Sequence, residues 1–148
     1  MFMSDIVGLL VNDLKNEWKH LRFYAYHAGA LTGLHAHEYK ELFKEQAQSE
    51  LEHVGQFCDL IIGLGGQPTT ESNDFPVFTK VEDAIAYAIE MEAEVVGNYV
   101  ERIAQLDTVP IATIRDSASA DLKWIEIFLE KQIEDSRQDL DHFKQLLK

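Results

Sequence analysis

Glu50 and His53 stand three residues apart in the stretch Gln48-Ser49-Glu50-Leu51-Glu52-His53-Val54, with no helix breaker nearby. Residues at i and i+3 share one helix face. A carboxylate and an imidazole are therefore carried side by side, followed on the same face by Phe57, Leu60 and Leu64. A face this apolar is buried, and a buried ionisable group needs a partner or a metal ion. Carboxylate and imidazole donors suit iron, manganese or zinc, and nothing soft is at hand to select copper(I). Three more carboxylates interrupt apolar stripes elsewhere: Glu17, Glu92 and Asp139.

The elements that must position these groups are four helical patterns. The first runs from Ser4, a plausible N-cap, to about Leu31, with Leu10, Leu14, Leu21, Ala28 and Leu31 on one stripe and Glu17 and Tyr24 seven apart on it. Thr32-Gly33-Leu34-His35 reads as a short reversal, since glycine commonly ends a helix. The second helix is expected from about His35 to Gly63, with an inward stripe of Tyr39, Phe43, Gln46, Glu50, His53, Phe57 and Leu60. The breaker-rich run from Gly63 to Pro76 is too long for a tight turn, and is read as a crossover from one end of a bundle to the other. The third helix is expected from near Val81 to about Leu106, striped by Ile85, Ala88, Val95, Tyr99, Ile103 and Leu106 around Glu92. The fourth is expected from about Ile111 or Thr113 to the C-terminus, with Leu122, Ile125, Leu129, Gln132, Ser136, Asp139, Phe143 and Leu146 on its stripe. The fold class is all-α: one four-helix-bundle domain over residues 1–148, with a long crossover between helices two and three.

A carboxylate in an apolar core costs several kcal/mol unless it is paired, and this chain repeats that cost on each helix. Cations would offset it, and helical bundles that hold two metal ions use Glu-x-x-His pairs of this kind. Two ions fit the set better than one: Glu50 bridging, Glu17 and Glu92 terminating one each, His53 completing one side and Asp139 the other. Tyr24 is the candidate catalytic residue, as a hydrogen-bond donor to a ligand carboxylate. Glu90 and Glu94 compete with Glu92 for the role on helix three. His20, His35, His37 and His142 read as exposed helix-end or surface residues, and His27 as either a satisfied core histidine or a support for the site. Trp18 and Trp124 read as packing residues.

The whole composition narrows the function classes. At 148 residues with a formal charge of −13 and a sequence pI near 4.7, the chain is a poor partner for nucleic acid, whose binding rests on Lys and Arg neutralising phosphate. No apolar run is long enough to cross a membrane, and Met1-Phe2-Met3-Ser4-Asp5 lacks the basic region of a secretory leader, so a cytoplasmic location is the expectation. The single Cys58 excludes an internal disulfide and any Cys-x-x-Cys metal site.

The chain resembles the ferritin-like di-iron family along nearly its full length. The resemblance rests on Glu17 with Tyr24 and His27-Ala28 on helix one, on Glu50 to His53 followed by Leu-Gly-Gly-Gln-Pro, and on Glu92 with Tyr99 seven later. It implies two irons per subunit, with manganese or zinc as substitutes, and oxidation of iron(II), a ferroxidase activity that stores or detoxifies iron. It also implies a homo-oligomer, either a dimer or a cage. Leu51 stands where haem-binding bacterioferritins carry Met, so no haem is implied, and Ser49 lacks the carboxylate that some bacterial ferritins use for a third iron. The match departs on helix four: Ser136 stands where Glu or Gln is usual, and Asp139 where bacterioferritins have His and ferritins have Glu. Ser136 is a poor ligand, which leaves the second metal position weak, water-filled, or completed by Asp135 or Gln132. The alternatives are a di-metal oxidoreductase acting without storage, and a helical scaffold with a degenerate metal site.

Overall fold

The computed structural model describes residues 1–148 as four helices, α1 (Met3–Ala30), α2 (Ala36–Gly63), α3 (Val81–Leu106) and α4 (Ser117–Leu146). Each forms because apolar residues recur at alternating three- and four-residue steps without an internal proline. On α1 the buried row is Ile6, Leu10, Asp13, Glu17, His20, Tyr24, His27 and Leu31, and on α2 it is Phe43, Gln46, Glu50, His53, Phe57 and Leu60. None of the helices is long and apolar enough to cross a membrane.

Two ends differ from the sequence reading. The N-cap of helix α1 is Phe2, two residues before Ser4, because the Asp5 carboxylate accepts the Phe2 backbone N–H at 2.7 Å and closes the first turn from inside the helix. Helix α4 starts at Ser117 and not near Ile111 or Thr113. There the Asp116 carboxylate takes the backbone N–H groups of Ala112 and Thr113 at 2.9 and 3.1 Å, holding residues 110–116 in a local turn that competes with helix.

The reversal between α1 and α2 carries Gly33 at φ 103° and His35 at φ 70°, both left-handed, so the chain turns back within a few residues and the helices lie antiparallel. The crossover from Leu64 to Lys80 then runs the length of α1. The Gly66 N–H bonds Ile61 carbonyl at 2.9 Å, and a Cβ on Gly66 would stand 2.5 Å from Val7 Cγ1. Further along, the Trp18 indole N–H donates to Thr69 carbonyl at 2.8 Å, Asn73 N–H to Lys15 carbonyl at 3.3 Å and Thr32 N–H to Thr79 carbonyl at 3.3 Å. These ties deliver α3 to the far end of α1, antiparallel to it.

His27 is a satisfied core histidine. Its Nδ1 lies 2.8 Å from Phe23 carbonyl and its Nε2 accepts the Phe78 backbone N–H at 3.0 Å, which fixes the proton on Nδ1 and anchors the end of the crossover. The core itself is two apolar clusters. One gathers Leu10, Leu14, Phe57, Leu60, Tyr99 and Leu129 among others, and the other Phe23, Tyr24, Phe43, Ala88, Met91 and Phe143. Each fully buried Leu or Phe contributes about 1.5–3 kcal/mol relative to exposure. Between the two clusters lies a polar layer.

Candidate metal centre

Helices α1, α2 and α3 each direct carboxylates into that layer. Glu17, Glu50 and Glu92 are 1%, 1% and 0% exposed. Glu90 and Glu94 are exposed, because only Glu92 keeps the register of Ala88, Val95 and Tyr99. Of the three, Glu92 alone faces the layer.

Two groups of three side chains form around Glu50. Glu17, Glu50 and His53 make one, and His20, Glu50 and Glu92 make the other, with the polar atoms of each group within 4.8 Å of one another. His53 Nδ1 is 3.1 Å from Glu50 Oε2 and 3.6 Å from Glu17 Oε2. His20 Nδ1 is 3.5 Å from Glu92 Oε1.

The place of His20 corrects the reading that made it a surface residue: it is 3% exposed. It lies three residues after Glu17 and four before Tyr24, so the helix turns it inward with them. The signal was present in the uninterrupted three-four alternation of α1. Asp13 on α1 and Arg102 on α3 were missed for the same reason. Both are buried, and Arg102 donates from Nε and Nη2 to the two Asp13 oxygens, each at 2.9 Å.

Two tyrosines brace the layer reciprocally. Tyr24 O–H donates to Glu92 Oε1 at 2.8 Å, and Tyr99 O–H donates to Glu17 Oε1. Tyr24 follows Glu17 by seven on α1, Tyr99 follows Glu92 by seven on α3, and the antiparallel pairing crosses the partners. Each tyrosine fixes one oxygen and leaves the other. Glu17 Oε2 and Glu92 Oε2 are buried without any hydrogen-bond partner, a costly state that a cation at the centre would relieve.

The charges are mutually adjusted. Burial opposes ionisation of Glu17, but His53, Glu50 and His20 around it outweigh that and hold its carboxyl at about 2. Burial, reinforced by the Glu17 charge, pushes Glu50 well above the usual carboxylate range. Burial disfavours the imidazolium of His20, yet Glu92 raises it to about 9. Likewise Glu17 and Glu50 overcome burial and raise His53 to about 11. Burial thus favours the neutral acid at Glu50, while the Glu17 carboxylate faces imidazolium ions at His20 and His53.

Helix α4 stands differently. Gln132 and Ser136 are buried in the layer, but the Gln132 amide donates to Gln56 Oε1 at 2.8 Å. Asp139 is half-buried and lies outside both groups, accepting the Gln46 amide N–H at 3.3 Å. Burial and the Glu92 charge raise its carboxyl to about 6. Asp135 Oδ2 is 3.6 Å from His53 Nε2. Asp135, Asp139, Glu52 and His53 line a polar opening of about 300 Å³ with no hydrophobic side chain in its wall. The layer meets solvent there, between α2 and α4.

The chain matches the family described as Ferritin-like domain over residues 7–148. Among curated proteins, no sequence matches it. Among solved structures it is similar to a ferritin-like, diiron-carboxylate protein from Bacillus anthracis str. Ames, at 23% identity and a TM-score of 0.83, covering 98% of this chain and 96% of that one. It is also similar to BfrA from M. tuberculosis, at 16% identity and a TM-score of 0.84, covering 99% and 85%. A third is the Rhodobacter capsulatus bacterioferritin with a metal-free dinuclear site and heme iron, at 14% identity and a TM-score of 0.80, covering 99% and 86%. Identities this low speak for the shared fold.

Proposed function

Because the chain belongs to the ferritin-like domain family, we propose that it takes up two iron(II) ions in the polar layer and oxidises them, as a ferroxidase that stores or detoxifies iron. The observation that carries this reading is the pair of ligand groups sharing Glu50, each with a buried carboxylate oxygen that lacks a partner. Glu50 spans the two ions in this reading, Glu17 and Glu92 hold one each, and the tyrosines keep those carboxylates aimed without cancelling their charge. Asp139 and Asp135 stand at the polar opening, where their charge draws cations toward His53.

Iron is the substrate here. Two iron(II) ions give up one electron each, which takes dioxygen and two protons to hydrogen peroxide, or hydrogen peroxide and two protons to two waters. The apolar clusters on either side keep water from the charged layer and so strengthen every interaction within it. Storage requires a further step, assembly of many copies into a shell in the cytoplasm. A dimer would suit detoxification without storage.

Anaerobic titration with iron(II), followed by admission of oxygen, tests the reading. Two ions bound per chain and a rapid rise in ferric absorbance are expected. Absence of binding at micromolar iron would overturn it.

A further inference from the structure

We propose that His20 supplies the nitrogen ligand of the second metal position, so that helices α1, α2 and α3 supply every carboxylate and imidazole that holds the two ions and α4 supplies none. This rests on the two-ion reading above and deepens it. Di-iron bundles generally take one Glu from each of two helices and a Glu-x-x-His pair from each of the other two. Here α2 carries one such pair, Glu50 and His53, and α1 carries the second, Glu17 and His20.

Because α1 and α2 are antiparallel, the two pairs run head to tail. That sends His53 toward Glu17 and His20 toward Glu92, with Glu50 common to both groups. His20 is 3% exposed, and its polar contact is the 3.5 Å approach of Nδ1 to Glu92. The contrast with His27 is direct, since both nitrogens of that ring are satisfied by backbone groups. A core histidine kept for packing resembles His27. His20 resembles His53 instead: a buried ring whose neighbours are carboxylates.

Helix α4 contributes no carboxylate or imidazole to either group. Gln132 gives its amide N–H to Gln56 while its Oε1 is buried without a partner, Asp139 accepts from Gln46, and Ser136 offers only a short hydroxyl. Asp139, standing where bacterioferritins have His, therefore does not leave the second ion without a nitrogen donor, because α1 has taken over that task. One bridging carboxylate remains in place of two, and the side of the ion pair facing Ser136 is left for water or oxidant.

The test is anaerobic titration of the full chain with cobalt(II), followed by calorimetry and visible absorption, with circular dichroism confirming each variant's fold. Wild type binds two equivalents. His20→Gln keeps one and weakens the other by at least about tenfold, the scale of a lost interaction at a metal, while Ser136→Ala and Asp139→Asn keep both. In the cobalt-loaded wild type, two hyperfine-shifted imidazole N–H proton resonances are expected, and this readout needs no variant. Two tight equivalents in His20→Gln, loss of one in Asp139→Asn, or a single shifted resonance in a wild type holding two ions would each overturn the assignment and leave the two-ion reading standing. A wild type that binds fewer than two equivalents overturns both.

Discussion

Glu50→Gln is expected to move the metal-free and metal-bound proteins in opposite directions. Glu50 sits within 4.8 Å, ligand atom to ligand atom, of Glu17, His53, His20 and Glu92. At that distance and an effective dielectric of about 20, each pair of unit charges is worth about 3.5 kcal/mol. Two repulsions from carboxylates and two attractions from imidazolium ions then nearly cancel. What remains is burial, which pushes the Glu50 carboxyl well above its usual range. At neutral pH folding must then either bury its charge or protonate a group that is ionised in the unfolded chain, at several kcal/mol against about 1–3 kcal/mol for a neutral amide. Removing the ionisable group therefore stabilises the metal-free bundle at neutral pH by about 2 kcal/mol, and at about 2–4 °C per kcal/mol for a chain of this size raises its midpoint by about 4–8 °C. Zinc(II), which oxygen leaves unchanged, works the other way. At about 100 times its dissociation constant each position adds about 2.7 kcal/mol, so two positions raise the wild-type midpoint by about 11–22 °C. A neutral amide in place of the Glu50 carboxylate cannot bridge two cations, and most of that gain disappears. Thermal melts by circular dichroism with and without zinc read both signs. A Glu50→Gln protein that melts below wild type without metal, or that keeps the full zinc gain, refutes the reasoning.

Tyr24→Phe frees Glu92 and Tyr99→Phe frees Glu17, and each is expected to weaken one zinc position by about tenfold while sparing the other; two-site calorimetry distinguishes them. Asp13→Ala leaves the Arg102 guanidinium buried without its carboxylate, at a cost of about 3 kcal/mol. The midpoint then falls by about 6–12 °C with the zinc-induced gain intact, and loss of that gain would place Asp13 in the metal site. Gly66→Ala drives a Cβ to 2.5 Å from Val7 Cγ1 and 3.1 Å from Ile61 Cγ2. It is expected to cost about 1–3 kcal/mol by lifting the crossover from α1, and an unchanged urea midpoint would count against that contact.

The second helix was legible residue by residue, because its stripe from Phe43 to Leu60 keeps one register and the polar members sit among large apolar ones. The first helix was legible in its apolar members and in Glu17 and Tyr24, but not in Asp13 or His20. Judged by type, a polar residue reads as exposed; judged by register, both fall on the row that runs from Ile6 to Leu31. Arg102 was hidden in the same way, since its burial depends on Asp13, a partner 89 residues away. The start of α4 was illegible because the side chain of Asp116, not an apolar period, decides it. Asp139 shows the remaining limit. Its spacing from Ser136 and Phe143 puts it on the inner stripe, yet Leu140 takes the buried position beside it, and a turn of the helix by a fraction of a residue leaves the carboxylate at the polar opening.

Asp13 and Glu17 show how one core separates a strut from a candidate cation site. They lie one turn apart on α1, are 2% and 1% exposed, and face neighbouring positions of α3. Asp13 meets the Arg102 guanidinium, which occupies both of its oxygens and cancels its charge. Glu17 meets the Tyr99 phenol, which occupies one oxygen and cancels nothing, and its other oxygen has no hydrogen-bond partner. Glu92 repeats the second arrangement through Tyr24. A phenol can fix the direction of a carboxylate while leaving its full charge for a cation, whereas a guanidinium fixes the direction by consuming the charge. The histidines add the complementary half. As imidazolium ions they balance the carboxylates, and in the proposed function they become donors as neutral rings when a metal binds. Burial alone does not mark the candidate metal layer, since Asp13 is as buried as Glu17. What marks it is burial braced by neutral donors, and that condition holds for Glu17 and Glu92, on either side of Glu50.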